Sequence, residues 1–142
     1  MSDPLRVLFV CVGNACRSQM AEALARHHAS DVIEPFSAGI SPLGNVPEAT
    51  RQVLLERGIS LGEQRSKGPT EADIDSSDLI VNMTGISGHA LFQSGLAIED
   101  WEIGDPYGED LAIFRTICDE IEVKILDLAE RLRARNTSTP PA

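Results

Sequence analysis

Cys11 and Arg17, separated by five residues, are the first pair in the chain whose types and spacing could do chemistry. Five intervening residues can wrap the backbone into a ring whose N–H groups face one centre. Gly13 and Asn14 lie inside this cysteine loop (residues 11–17), and they are the residue types that best tolerate the positive φ angles such a ring needs. A ring of amides with a thiol at its floor and a guanidinium at its lip would bind a tetrahedral oxyanion such as phosphate.

The residues on either side of the cysteine loop favour the same chemistry. An apolar strand is predicted immediately before it, and a helix is predicted to begin near Ser18, so that the N-terminal dipole of the helix faces the ring. Thiols at helix N-termini ionise more readily than free cysteine, so the same field favours a thiolate at Cys11. A thiolate facing a bound phosphate is an activated nucleophile.

The elements that must position this loop alternate between strand and helix along the chain. Short apolar runs predict strands, three- and four-residue apolar spacing predicts helices, and Gly, Pro and Asn mark the turns. This pattern predicts an α/β fold: a single domain with a four-stranded parallel sheet, helices on both faces and a ligand site at the carboxyl ends of the strands. The predicted strands span 5–10, 33–38, 78–83 and 97–103, and the predicted helices begin near 18 and span 47–57, 86–92 and 111–135.

Length, composition and charge exclude several functional classes. The 142 residues suit one domain, which we expect to cover 1–135, followed by a frayed tail over 136–142. The net charge is −10 and only 4% of the residues are aromatic, which argues against nucleic-acid and membrane-surface binding. The longest early apolar run is too short for a signal peptide or a membrane span, so we expect a soluble cytoplasmic protein. The three cysteines and three histidines show no metal-ligand spacing, so no metal site is predicted.

The segment V-C-V-G-N-A-C-R-S-Q-M-A-E-A, beginning at Val10, resembles the phosphate-binding loop of the low-molecular-weight protein tyrosine phosphatase family. This family also includes protein-arginine phosphatases and thioredoxin-coupled arsenate reductases. The similarity continues through the segments 36–39 and 78–84, and it ends in Asp105-Pro106-Tyr107-Gly108 and the long terminal helix. The resemblance implies a low-molecular-weight phosphatase-like, Rossmann-like fold.

The resemblance also implies a role for each matching residue. Cys11 would form a phosphocysteine, Arg17 would hold the phosphate oxygens, and Asp105 would protonate the leaving oxygen as general acid. Asn14 would fix the strained loop through side-chain hydrogen bonds, and Ser18 would stabilise the thiolate. This chemistry needs neither a metal nor another cofactor, since the amides and the guanidinium take the developing charge. The implied phosphate-binding residues are Val12, Gly13, Asn14, Ala15, Cys16, Arg17 and Ser18.

Two residues keep alternative interpretations. Cys16 either forms a reversible disulfide with Cys11, as the family's paired loop cysteines can, or packs the loop as a small buried residue. Tyr107 either lines the mouth of the cleft or covers the turn. Cys118, on the apolar face of the last helix, is expected to lie in the core.

Departures from the family pattern leave open which of its activities this chain has: tyrosine phosphatase, arginine phosphatase or arsenate reductase. The segment 81–88, just after the third strand, contains no cysteine, whereas arsenate reductases of the family carry a redox pair there; Gln19, however, is more typical of the arsenate reductases. The loop 40–45 contains no aromatic residue, whereas the eukaryote-type phosphatases of the family carry one there, and Gln64 stands where much of the family has a histidine. The sequence therefore predicts a cysteine-dependent phosphomonoester hydrolase of the tyrosine phosphatase type. It would act on a phosphorylated protein or a small phosphomonoester. The alternatives are an arsenate reductase, an arginine phosphatase and a non-catalytic phosphate-binding module.

Overall fold

The computed structural model describes residues 3–93 and 95–137 and shows a four-stranded parallel sheet in the order β2-β1-β3-β4. The predicted fold class is confirmed. The strands are β1 (Leu5–Cys11), β2 (Ile33–Gly39), β3 (Leu79–Asn82) and β4 (Ile98–Asp100). The helices are α1 (Arg17–Ala29), α2 (Glu48–Leu55), α3 (Glu71–Ser76), α4 (Gly88–Leu91) and α5 (Leu111–Thr137).

Strand β1 lies in the middle of the sheet, between β2 and β3, and both of its faces are covered. Val7 and Phe9 pack into the larger core beneath α1, α2 and α5, whereas Leu8 and Val10 pack into a second cluster with residues near α3 and α4. A parallel strand that is buried on both faces needs an apolar residue at nearly every position, which is why the sequence shows a continuous apolar run here. The run ends at Cys11, which β1 therefore delivers to the carboxyl edge of the sheet.

The long helix α5 packs against α1 and α2 and contributes its apolar stripe to the larger core. The stripe predicted from three- and four-residue steps is confirmed, since every one of its side chains is buried. Cys118 is fully buried among them, as expected. The helix continues through Thr137, two residues beyond its predicted end, and the rest of the predicted tail lies outside the described residues. The stripe consists of Phe114, Cys118, Ile121, Ile125, Leu128 and Leu132.

Helix α3 lies outside the predicted elements. Thr70 caps it by accepting from the backbone N–H of Asp73, and the Asp73 carboxylate accepts in turn from the N–H of Thr70. This reciprocal pair is a capping box, and its Thr-x-x-Asp spacing is a helix-start signal in the sequence.

In the part of the chain that the structure describes, none of the helices has the length and apolar character needed to cross a membrane.

Candidate active site

The cysteine loop is held from outside by hydrogen bonds to its backbone carbonyls. The chain that leaves β2 donates to the first three of them, through Ile40 N to Cys11 O (3.1 Å), Ser41 N to Val12 O (2.8 Å) and Leu43 N to Gly13 O (3.0 Å). The buried hydroxyl of Thr50 donates to Ala15 O over 3.0 Å. Within residues 3–93 and 95–137, the backbone N–H groups of residues 12–16 donate to no acceptor. Outward carbonyls and free inward amides make the loop an oxyanion nest.

Asn14 is the strained residue of the loop. Its φ is 47°, and among the described residues it is the one non-glycine with a positive φ. Its side-chain oxygen accepts from Lys67 N (2.9 Å) and from the Gln19 amide (3.0 Å), and its Nδ2 donates to Ser18 Oγ (2.7 Å). These bonds offset the cost of the left-handed conformation of Asn14.

Gly13 was expected to share that conformation, and this expectation is wrong, because Gly13 is not among the residues with positive φ. Its small size has another cause. A Cβ on Gly13 would lie 3.0 Å from Leu43 Cγ, so the glycine makes room for the Leu43 side chain.

The Cys11 sulfur lies 2.9 Å from Ser18 Oγ. Because Ser18 Oγ accepts from Asn14 Nδ2, the hydroxyl hydrogen is available to the sulfur. A serine that donates to sulfur favours the anionic form, and so do the free amides around it. The arrangement can therefore present a thiolate at the base of an oxyanion nest.

Arg17 is more deeply placed than predicted. We expected a guanidinium at the lip of the site, but only 5% of the residue is exposed. Its Nη1 donates to Met83 O and Ile103 O, over 2.5 and 3.1 Å, and these carbonyls lie just beyond β3 and β4. Its buried Nε has no partner in the described structure. Two backbone carbonyls fix Nη1 of the guanidinium, and the Nε donor is left free to bind an oxyanion.

Asp105 faces Arg17 across the cavity. Its Oδ2 lies 3.7 Å from Arg17 Nη2, and its Oδ1 accepts from Tyr107 N over 3.0 Å. The carboxylate side chain is about half exposed, so it stands at the mouth, between the nest and solvent. This is the position from which a group can exchange protons with a leaving oxygen and then with water.

These side chains share one cavity of about 170 Å³. The structure brings together most of the predicted site residues in its walls. Asn14 and Ser18 do not line the cavity; they lie behind it, where Asn14 donates to Ser18 and Ser18 contacts the Cys11 sulfur. The lining also includes two residues that sequence reasoning missed, Ser41 and Leu43, which follow β2 with no motif of their own. The lining residues are Cys11, Val12, Gly13, Ala15, Cys16, Arg17, Ser41, Leu43, Asp105 and Tyr107.

Cys16 lines the same cavity as Cys11. Burial raises the pKa of the Cys16 thiol to about 11. Cys16 therefore stays protonated at neutral pH and is a slow attacking thiol there. The segment 81–88 after β3, where arsenate reductases of the family carry their redox pair, contains no cysteine, and Cys118 is buried in the core.

The chain was compared with known proteins. The family model described as "Low molecular weight phosphotyrosine protein phosphatase" matches residues 6–138. Arsenate reductase 1 of Bacillus cereus is 31% identical over 132 residues, which cover 92% of this chain and 98% of that protein. Further curated relatives, from Brevibacillus brevis and Bacillus licheniformis, also carry the name arsenate reductase.

Solved structures extend the comparison to two other activities. The arginine phosphatase from Geobacillus stearothermophilus is 32% identical and superimposes with a TM-score of 0.81, over 98% of this chain and 99% of that one. The low molecular weight protein tyrosine phosphatase from T. tengcongensis is 30% identical and has a TM-score of 0.78, over 90% of this chain and 99% of that one. The same architecture therefore carries three named activities among proteins about equally similar to this chain.

Proposed function

The chain belongs to the low molecular weight phosphotyrosine protein phosphatase family, and from this premise we propose that it is a cysteine-dependent phosphomonoester hydrolase of the tyrosine phosphatase type. One observation carries the proposal: Cys11, the free amides of the nest, Arg17 and Asp105 line a single cavity. A binding module would need the nest and the arginine. It would have no use for a carboxylate at the mouth, since an acid there repels the phosphate it must hold.

The first chemical step follows from this arrangement. The amides of residues 12–16 and the free edge of Arg17 bind the phosphate oxygens, which places phosphorus in front of Cys11 Sγ. The thiolate attacks phosphorus and the bond to the ester oxygen breaks, while Asp105 gives that oxygen a proton. An alcohol leaves far more readily than an alkoxide, so this proton lowers the barrier. The product of the step is a phosphocysteine on Cys11.

The second step uses the same carboxylate in reverse. Asp105, now ionised, takes a proton from a water molecule that enters at the mouth, and the water oxygen attacks phosphorus. The sulfur leaves as a thiolate, which receives the Ser18 hydrogen bond, and inorganic phosphate is released. The nest and the guanidinium stabilise the charge that develops on the equatorial oxygens in both steps.

The walls of the mouth support an aryl ester as substrate. Leu43 is 47% exposed and Tyr107 is 56% exposed, and both line the cavity above the nest. An apolar side chain and an aromatic ring can pack on the two faces of a phenyl leaving group. Protein phosphotyrosine is therefore the substrate class that we propose.

The test measures hydrolysis of aryl phosphates by the wild type, Cys11→Ser and Asp105→Asn, with reductant and a chelator present. Cys11→Ser should abolish turnover while leaving phosphate binding. Asp105→Asn should slow esters with poor leaving groups by about 10²–10⁴-fold and esters of good leaving groups much less. Glu109→Gln, an exposed carboxylate in the same turn region, serves as the control and should match the wild type. Wild-type turnover by Cys11→Ser would refute the mechanism, and equal losses for all leaving groups would remove Asp105 from the acid role.

A second candidate function, arsenate reduction, is favoured by the names of the curated relatives. Arsenate is also a tetrahedral oxyanion and would fit the same nest. Its reduction needs a second thiol to attack Cys11 Sγ, forming a disulfide and releasing arsenite. The segment 81–88 offers no cysteine, and Cys16 is protonated at neutral pH, so a reactive thiol would have to come from another molecule. Arsenite formation with glutathione or thioredoxin, absent in Cys11→Ser, would decide for this function.

An arginine phosphatase activity is favoured by the solved structure from Geobacillus stearothermophilus. It differs from the proposed function only in the leaving group. A comparison of kcat/KM for phosphotyrosine and phosphoarginine peptides of one sequence separates the two. Our proposal requires the phosphotyrosine peptide to be the better substrate.

A further inference from the structure

Gln19 is a fully buried glutamine that does not line the cavity, and no step of the proposed reaction uses it. It lies in the first turn of α1, directly behind the cysteine loop. A buried amide that lacked partners would be costly, so its contacts must account for its presence.

The Gln19 side chain uses its donor and its acceptor. Its Nε2 lies 3.1 Å from Asn14 O, 3.0 Å from Asn14 Oδ1 and 2.9 Å from Arg65 O. Its Oε1 accepts from Gln64 Nε2 over 2.7 Å. Three oxygens around the nitrogen fix the orientation of the Gln19 amide, because an oxygen in that place would repel all three.

These contacts connect Gln19 to the sulfur through two residues. Two of the three acceptors belong to Asn14, the residue with φ of 47°, so Gln19 stabilises both the backbone and the side chain of the strained position. With its oxygen held by Gln19 and Lys67, the Asn14 amide presents Nδ2 to Ser18 Oγ. Ser18 in turn contacts Cys11 Sγ.

Gln19 also joins the loop to the segment 64–67 on its far side. That segment contacts the loop again through Ser66 Oγ to Gly13 O (2.9 Å) and Lys67 N to Asn14 Oδ1. Among the described residues, the side chain of Gln64, in the position where much of the family has a histidine, donates hydrogen bonds only to Gln19. It donates to Gln19 O and Gln19 Oε1, while its own Oε1 is buried without a partner in the described structure.

We infer that Gln19 is a positioning residue for the Cys11 thiolate: its amide holds Asn14, Asn14 holds Ser18, and Ser18 holds its hydrogen bond on the sulfur. The inference rests on the proposed role of Cys11 as nucleophile. A purely structural role for Gln19 would change stability alone. A positioning role must also change the pH at which the sulfur becomes reactive.

The test replaces Gln19 by methionine, which keeps the length of the side chain and removes every hydrogen bond that this side chain makes. The readout is the rate of Cys11 alkylation by iodoacetamide as a function of pH, followed by mass spectrometry of the Cys11 peptide. We expect the alkylation midpoint to rise by about one pH unit, so that the thiolate fraction well below the midpoint falls roughly tenfold. On the acidic side of the pH–rate profile, kcat/KM for an aryl phosphate should fall roughly tenfold or more, and kcat should change more than KM. Gln52→Met, the same change at an exposed position of α2, should reproduce the wild type.

Gln64→Met provides a second variant, since it removes the bond to Gln19 Oε1 and leaves the Gln19 donors in place. Its alkylation midpoint should lie between those of the wild type and Gln19→Met. If Gln19→Met fails to fold, this variant carries the test.

The outcomes separate the inference from the proposed function. A raised midpoint in a protein that hydrolyses no phosphomonoester would support the positioning role and refute the phosphatase. An unchanged midpoint and an unchanged pH–rate profile in a stably folded Gln19→Met protein would refute the positioning role, whatever the wild type hydrolyses.

Discussion

Gly39 is a position where a single added methyl group would press on the backbone of the cysteine loop. It ends β2 and lies against the cysteine loop, and its N–H donates to Lys67 O. A Cβ at this position would lie 2.6 Å from Asn14 N, 2.7 Å from Val12 O and 2.8 Å from Gly13 C. All three atoms are backbone, so no side-chain rotation can relieve the contact.

The magnitude of the Gly39→Ala effect follows from these distances. Ordinary contact begins at 3.4 Å, so the loop must retreat by about 0.6–0.8 Å. Overpacking of this kind costs about 1–3 kcal/mol, which corresponds to a fall in Tm of roughly 3–10 °C for a domain of this size. A misplacement of about 1 Å in a catalytic site can cost about 10²-fold in rate. We therefore expect kcat/KM for an aryl phosphate to fall about 10²-fold, and the inhibition constant of inorganic phosphate to rise.

The assay combines steady-state hydrolysis, phosphate inhibition and thermal melting. Gly68→Ala is the matched control, because a Cβ there would meet its nearest described neighbour, Pro42 Cγ, at 3.7 Å, which is ordinary contact. Gly68→Ala should keep wild-type turnover and phosphate affinity. Wild-type turnover and melting in Gly39→Ala would refute the reasoning, since they would mean that the loop backbone does not approach β2 as described.

Three further predictions concern the loop and the buried thiols. Thr50→Val removes the hydroxyl on Ala15 O and leaves that carbonyl without this donor, so unfolding measured in urea should show a loss of about 1–3 kcal/mol, and the KM for an aryl phosphate should rise. Burial raises the pKa of Cys16 and of Cys118 from 9.0 to about 11, so the folded state favours both neutral thiols. The stability that the two neutral thiols contribute is complete below about pH 9 and is lost as the pH rises towards 11. Between about pH 8 and 10.5, the free energy of unfolding of Cys118→Ala should therefore fall less than that of the wild type. For Cys16, we predict a disulfide with Cys11 after mild peroxide treatment, forming faster as the pH rises. Cys16→Ser should instead accumulate irreversibly oxidised Cys11, seen by mass spectrometry, and full thiol recovery in that variant would count against the disulfide.

The fold was largely predictable from periodicity because its elements are strongly patterned. β1 is apolar at consecutive positions and α5 has an apolar stripe from Phe114 to Leu132, and both elements were placed within two residues of their observed bounds. α3 was missed because it is short and has no apolar stripe. It depends on the capping box of Thr70 and Asp73, which is a signal of hydrogen bonding and not of hydrophobic spacing.

The part of the candidate site that lies in one segment was predictable from the sequence. The part that depends on contacts between distant segments was less so. Cys11, Asn14 and Arg17 lie within seven residues, and their spacing alone predicts a nest. The burial of Arg17 depends on Met83 O and Ile103 O, which are backbone groups with no side-chain signal. The two glycines show the same limit. Gly13 and Gly39 are glycines because Leu43 and the loop backbone come close to them, and such approaches appear only in three dimensions.

Phosphate hydrolysis and arsenate reduction would share every step up to the adduct on Cys11 and differ in what attacks next. Hydrolysis needs a water activated at the mouth, where the Asp105 carboxylate is half exposed and 3.7 Å from Arg17. Reduction needs a thiolate that reaches the Cys11 sulfur. Burial raises the pKa of Cys16, the other thiol in the cavity wall, to about 11, so this thiol is almost entirely protonated at pH 7. Without an external thiol, the adduct therefore meets activated water far more often than a reducing sulfur, and this asymmetry is the chemical reason for preferring the hydrolase.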